Sequence, residues 1–236
     1  MNKLSFTLAE VLITLGIIGI VAAMTLPSLI TRNQNKALEA GLKKNYSVIQ
    51  QALDMYQAEN GERLKPEDTG LSKSSNDLSN LLLPYFQVLT DCGYSYISKC
   101  MPLPDGEEAD DTKKVSYIYK TYNNNTLNLT LLDDGQFVLL DGSLILIENT
   151  GNKTAKKNRF ISVDVNGIQK RPNKWGHDLF TFQLMNDGRI LPMGADGTEY
   201  EDENTYCSIN SSHVYNGIGC TYRALTEKDY FNNLPR

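Results

Sequence analysis

The sequence predicts an α+β protein: a long N-terminal α-helix, transmembrane and then amphipathic, packed on an antiparallel β-sheet domain. Three observations predict it. The 20 residues from Val11 to Ile30 carry no charge. A helical stripe of apolar residues continues beyond them to Tyr56. After Gly61 the chain changes to short β-rich runs separated by Asp-Gly and Asn-Gly pairs.

The uncharged run comes first. At helical rise it spans about 30 Å, the thickness of a bilayer core. Lys3 precedes it and Arg32 follows it. A cleaved secretory signal fits poorly: the run is long for such a segment, Glu10 sits at its edge, and Ala22-Ala23-Met24 is a weak cleavage site. A retained membrane helix fits better. A mean hydropathy of −0.36 excludes a polytopic membrane protein.

The helical pattern passes out of the apolar run. Leu38, Leu42, Tyr46, Ile49, Leu53 and Tyr56 recur at steps of three and four, one stripe of a helix. Lys43, Lys44, Gln50, Gln51 and Asp54 occupy the other sides, and Asn60-Gly61 is the stop signal. A continuous helix from Phe6 to Glu59 measures about 80 Å. Pro27 removes one backbone donor and is expected to bend it. Gly16, Gly19 and Ala23 open a small-residue face where another helix can approach.

The start of the chain, MNKLSFTLAEVLITLGIIGIVAAMTLPSLI, resembles the N-terminus of type IV pilins and pseudopilins. In that family a short basic leader ends in a small residue, usually Gly, and is followed by Phe-Thr-Leu-x-Glu and an apolar helix. Here Lys3 is in the leader, and Phe6, Thr7, Leu8, Ala9 and Glu10 follow. The resemblance implies cleavage between Ser5 and Phe6 by a prepilin peptidase, then N-methylation of Phe6. It places Glu10 at the family's acidic position and Pro27 where many pilins carry a proline. Ser5 departs from the usual Gly but keeps small size. The implied layout is a leader (1–5), a transmembrane and assembly helix (6–30), an amphipathic half (31–61) and an extracytoplasmic β-rich domain (62–236). The implied fold is pilin-like.

Glu10 can be argued without the family. A carboxylate in a membrane helix costs roughly 2.5–3.5 kcal/mol, so it persists where a partner offsets that cost. Cleavage after Ser5 makes Phe6 an α-amine, a cation below about pH 8. In a helical filament that amine can meet Glu10 of a neighbour and fix one axial register. The plainer reading is an acid snorkelling to the lipid headgroups.

Past Gly61, ERLKPEDTGLSKSSNDLSN reads as a loop and LLLPYFQVL as a short apolar element, expected as a helix packing back on the domain. PLPDGEEADDTKK is a solvated loop with Asp105, Glu107, Glu108, Asp110 and Asp111. The core sheet is expected from VSYIYKTY, TLNLTLL, QFVLL, SLILIEN, RFISVDV, LFTFQL and RILPM. Asp134-Gly135, Asp141-Gly142, Asn166-Gly167 and Asp187-Gly188 are expected as hairpin turns. Short links favour antiparallel pairing and an α+β arrangement.

Four cysteines, Cys92, Cys100, Cys207 and Cys220, form two sequence-local pairs, and three connectivities are open. The spacing does not suit a zinc clip. Behind a membrane anchor with an outward domain, disulfides are the natural reading, with reduced buried thiols as the alternative. The pilin resemblance, where a disulfide near the C-terminus is common, supports Cys207–Cys220.

Catalysis is not expected. His177 and His213 lie in no metal-binding pattern, and no nucleophile elbow or phosphate loop is present. Ser211-Ser212-His213 are sequence neighbours, and Gly217-Ile218-Gly219 reads as a turn. No cofactor is expected. Asp164-Val165-Asn166-Gly167 opens like a calcium loop, and Asp178 can join Asp164 and Asn166 if the chain folds back. Some pseudopilins hold calcium in a C-terminal loop, yet ordinary turns are the favoured account. GADGTEYEDE adds Asp196, Glu199, Glu201, Asp202 and Glu203 as a solvated acidic loop.

Lys plus Arg is 23 against 28 Asp plus Glu, a net charge of −5 that argues against a whole-chain nucleic-acid binder. One basic run cuts against it: Lys153, Lys156, Lys157, Arg159, Lys170, Arg171 and Lys174, with Trp175 beside it. Nucleic acid is the weaker reading of that run, and a solvated pair of loops the stronger. The expectation is an inner-membrane, single-pass, pilin-like subunit that partners a prepilin peptidase and other pilin-like subunits in a pilus or pseudopilus serving secretion or DNA uptake. The alternative is an anchored extracytoplasmic binding protein that does not polymerise.

Overall fold

A computed structural model describes residues 7–95, 99–101, 115–149 and 159–235. The acidic loop of residues 102–114 and the lysines at 153, 156 and 157 lie outside the described residues, as do Ser5 and Phe6. The chain divides into two units, Met1–Ala37 and Leu38–Arg236.

Helix α1 runs from Leu8 to Asn60, 53 residues with Pro27 inside. Asn60-Gly61 ends it as expected: Gly61 takes φ +81° and donates its N–H to the Gln57 carbonyl at 2.9 Å. In the first unit every residue from Val11 to Ile30 is exposed except the half-buried Ala22. In the second unit Leu38, Leu42, Ile49 and Leu53 are buried, with Tyr46 and Tyr56 half-buried, which is the stripe the periodicity predicts. Asn45 and Ala52 are buried with them.

Among the described residues the main sheet has six antiparallel strands. They are β1 (Val88–Gly93), β4 (Gln136–Leu139), β5 (Leu144–Glu148), β6 (Phe160–Asp164), β7 (Leu179–Leu184) and β8 (Ile190–Pro192), side by side in that order. A separate ribbon pairs β2 (Val115–Lys120) with β3 (Thr126–Asn128). Strands β5 and β6 are buried at every residue because both faces are covered. Period-two alternation sorts their side chains. Ile145, Ile147, Ile161 and Val163 pack with Leu42 and Ile49 of α1. Leu144, Leu146 and Phe160 pack on the other face with Tyr119, Leu127 and Trp175. Tyr46 stacks on Phe182, ring centroids 5.1 Å apart. A Cβ on Gly41 would meet Val165 at 3.2 Å, so the helix backbone approaches the sheet closely there.

Four expectations need correction. LLLPYFQVL is not one element: α2 (Leu78–Leu82), a 3-10 turn at Leu83–Tyr85 and the start of β1 divide it. Asp77 caps α2 by accepting from Asn80 N–H at 2.8 Å, and Pro84 cannot continue the helical bonding. TLNLTLL is a strand only to Asn128, whose side chain accepts from Thr130 N–H and turns Leu129–Leu131 into a 3-10 segment. VSYIYKTY and TLNLTLL therefore form the ribbon rather than part of the main sheet. Asp141-Gly142 and Asp187-Gly188 are the tight turns of β4–β5 and β7–β8, with Gly142 at φ +88° and Gly188 at φ +77°. Asp134-Gly135 instead leads into β4, and Asn166-Gly167 opens a longer connection from β6 to β7. Strand β1 and two short helices, α3 (Glu203–Tyr206) and α4 (Thr221–Thr226), went unpredicted.

Candidate functional site

The N-terminal end of α1 is built by two side chains. Thr7 donates to Glu10 Oε2 twice, from its backbone N–H at 2.8 Å and from its hydroxyl at 2.8 Å. Glu10 N–H returns a bond to Thr7 Oγ1 at 3.3 Å. This reciprocal arrangement is a capping box, which satisfies donors that the first turn of a helix leaves open. Thr7 and Glu10, placed by the sequence in one motif, stand at the Thr-x-x-Glu spacing that announces such a box. Pro27 lies inside continuous helix, and Thr31 Oγ1 donates to its carbonyl at 3.0 Å. Open space surrounds Gly16 and Gly19: apart from the adjoining residues and backbone of the helix itself, no heavy atom lies within 4 Å of a Cβ built at either.

The structure does bring Asp164, Asn166 and Asp178 together. Asp164 ends β6 opposite Leu179 of β7, so the returning chain places Asp178 beside it. Tyr119 OH donates to Asp164 Oδ2 at 2.7 Å, and Asn166 and Gly167 N–H donate to Oδ1 at 3.3 and 2.9 Å. Asn173 and Lys174 N–H donate to the two Asp178 oxygens at 2.7 Å each. The Asn166 side chain donates to the Lys170 and Arg171 carbonyls at 3.4 and 3.3 Å, within the same connection. Both carboxylates are fully buried. Burial, and then the charge of Asp178, push the Asp164 carboxyl well above its usual range; burial does the same to Asp178. Asn166 Oδ1 is buried without a protein donor. The arrangement ties the Asn166–His177 connection to two neighbouring acidic side chains. Calcium takes about six to eight oxygens, more than these three side chains supply.

A second acidic group escaped the sequence reading. Ligand oxygens of Asp133, Asp134 and Glu148 lie within 4.8 Å of one another. Arg159, fully buried, belongs to the same region: it donates to Thr69 Oγ1 and, at 3.3 Å, to the Gly70 carbonyl. Burial lowers its pKa, and Glu148, Asp134 and Asp77 oppose that shift. A guanidinium among acids is an ion cluster of the interior. The sequence signal was present: Glu148 closes one apolar strand and Arg159 opens the next.

Among the described residues the basic run does not form one surface. Arg159, Lys174 and Trp175 are buried, whereas Lys170 and Arg171 are exposed. Ser211 Oγ donates to the Thr205 carbonyl and accepts from His213 N–H, so both residues serve a turn. His177 is buried against Tyr122, and burial followed by Lys174 lowers its pKa to about 3. Gly217 takes φ +106° with Trp175 packed where a side chain would stand. The cysteines pair as Cys92–Cys100 and Cys207–Cys220, with Cα atoms 5.9 and 4.9 Å apart.

These features define a class: an α+β protein with, among the described residues, one N-terminal helix long and apolar enough to cross a membrane, and a disulfide-bonded domain suited to an oxidising, extracytoplasmic compartment. Comparison with known proteins adds no narrower assignment: no protein family, no curated protein and no solved structure matches the chain.

Proposed function

We propose that this protein is a pilin-like subunit, processed by a prepilin peptidase between Ser5 and Phe6, methylated on Phe6 and assembled into a type IV pilus or pseudopilus of the inner membrane. One observation carries the reading. A single helix, α1, is apolar and exposed over its first half, and its later residues Leu38 to Leu53 fill the core of a β domain. An exposed apolar helix needs lipid or other helices around it, and a filament supplies the second when the first is left. Glu10 at the head of that helix gives neighbouring subunits a charge to align on. The mass of protein extracted from membranes tests the reading. It should lack Met1 to Ser5 and carry one extra methyl group. Recovery of the full-length chain from cells with an active prepilin peptidase refutes it.

The anchored binding protein that never polymerises is favoured by one specific feature. Glu10 already finds two donors in its own chain, both on Thr7. Glu10→Ala separates the two readings. Insertion should persist in both, and filament incorporation should fall sharply only for a subunit whose charge pairs with a neighbour.

A further inference from the structure

We propose that Arg32 and Lys36 form a clamp for anionic phospholipid headgroups at the end of the membrane span. The exposed apolar run ends at Ile30, and Arg32 and Lys36 are the next charges along α1. They stand four residues apart, so they share one side of the helix. Lys36 lies six residues past Ile30, about 9 Å along the axis, just beyond a headgroup layer about 5–8 Å deep and within reach of its long side chain. In a helix each Cα–Cβ bond tilts toward the N-terminus, so both long side chains lean back toward the bilayer.

The contrast with the following lysines supports the assignment. Lys43 pairs with Glu39 at 2.5 Å and Lys44 with Asp141 at 2.6 Å. Arg32 and Lys36 are exposed, and neither makes an ion pair among the described residues. No acid lies between Ile30 and Glu39. Lys and Arg ordinarily concentrate on the cytoplasmic side of a span. Two unpaired cations at the end that leads to a disulfide-bonded domain therefore need a counter-charge at that surface. Phosphodiester headgroups supply it there at about 1 kcal/mol per cation, roughly fivefold each. The clamp holds a subunit at a fixed depth, and its contacts must be broken when the helix leaves lipid.

The inference rests on the membrane-span reading, and the experiment separates the two. The full chain is reconstituted in phosphatidylcholine vesicles containing a trace of spin-labelled phosphatidylglycerol or spin-labelled phosphatidylcholine. The motionally restricted fraction measures lipid held at the protein surface. The phosphatidylglycerol label should be enriched several-fold over the phosphatidylcholine label. The enrichment should vanish in Arg32→Gln/Lys36→Gln and in 1 M salt, and should survive in Lys228→Gln, a change at an exposed lysine of the globular domain. Equal retention of the two lipids by the wild type overturns the clamp, as does enrichment that persists in the double variant. Absence of any restricted fraction overturns the span reading and the clamp together.

Discussion

Ser143 Oγ donates to Asn45 Oδ1 at 3.1 Å, a buried bond between the middle of α1 and the turn that joins β4 to β5. Asn45 Nδ2 in turn donates to the Gly41 carbonyl at 3.0 Å. Lys44 reaches the same turn through Asp141. Partial burial disfavours the Asp141 charge, but Lys44 and Ser143 outweigh it and hold the carboxyl below its usual range. A polar residue in an otherwise apolar stripe sets where along the sheet the helix rests.

Asn45→Ala should therefore destabilise the globular domain by about 1–2 kcal/mol, because the interface loses its hydrogen bond and a space opens in it, while the Ser143 hydroxyl keeps Asp141 Oδ1 at 2.7 Å. Urea denaturation measures it. A midpoint equal to that of the wild type would show that apolar packing alone fixes the register.

The second expectation concerns what the domain needs in order to stand alone. A fragment beginning at Thr31 keeps Leu38, Leu42, Ile49 and Leu53 in place and should be a soluble, folded monomer. A fragment beginning at Glu62 uncovers Ile145, Ile147, Ile161, Val163, Phe180 and Phe182 and should aggregate. Light scattering distinguishes the outcomes, and an equally stable monomer without α1 would contradict the packing. Replacing Cys207 and Cys220 by Ala in the longer fragment should cost about 2–3 kcal/mol and leave it folded.

Asp164 and Asp178 give a pH dependence with a defined sign. Their folded pKa values are raised, so the folded domain holds protons that the unfolded chain releases near pH 4. Their contribution is fully present below that point and is lost as pH rises toward about 7, the value for Asp164. His177 acts in the opposite sense: its pKa falls to about 3, so its contribution is lost as pH drops below about 6.5. Comparison with Asp178→Asn cancels the histidine. The wild type should lose more stability than this variant between pH 5 and pH 8. Parallel curves would refute the coupling. Adding calcium at pH 8 discriminates further, since a cation between the carboxylates would restore the wild type selectively.

Thr7→Val tests the capping box. The hydroxyl donor disappears and the backbone N–H remains, so about 1 kcal/mol of helix stability should be lost at that end. Amide exchange at Leu8 to Glu10 in micelles should accelerate, and Thr7→Ser should restore protection. Unchanged exchange in the valine variant would mean that Glu10 needs no help from Thr7.

The sequence by itself determined the long helix, its apolar and amphipathic halves, its stop at Gly61 and the core strands β4 to β8, but not β1. All of these follow from local periodicity and from turn residues a few positions apart. Leu38, Leu42, Ile49 and Leu53 announce a buried face because a helix of period 3.6 cannot place them elsewhere. Tertiary structure alone decided that β2 and β3 leave the main sheet, that β5 and β6 are covered on both faces, and that Arg159, Lys174 and Trp175 turn inward. It also decided that Asp164 meets Asp178 and that Asn45 meets Ser143. Those outcomes depend on which surfaces of distant segments fit together. Strand pairing across tens of residues carries no local signal, and a charge is read as exposed until the acid that accompanies it into the interior is seen.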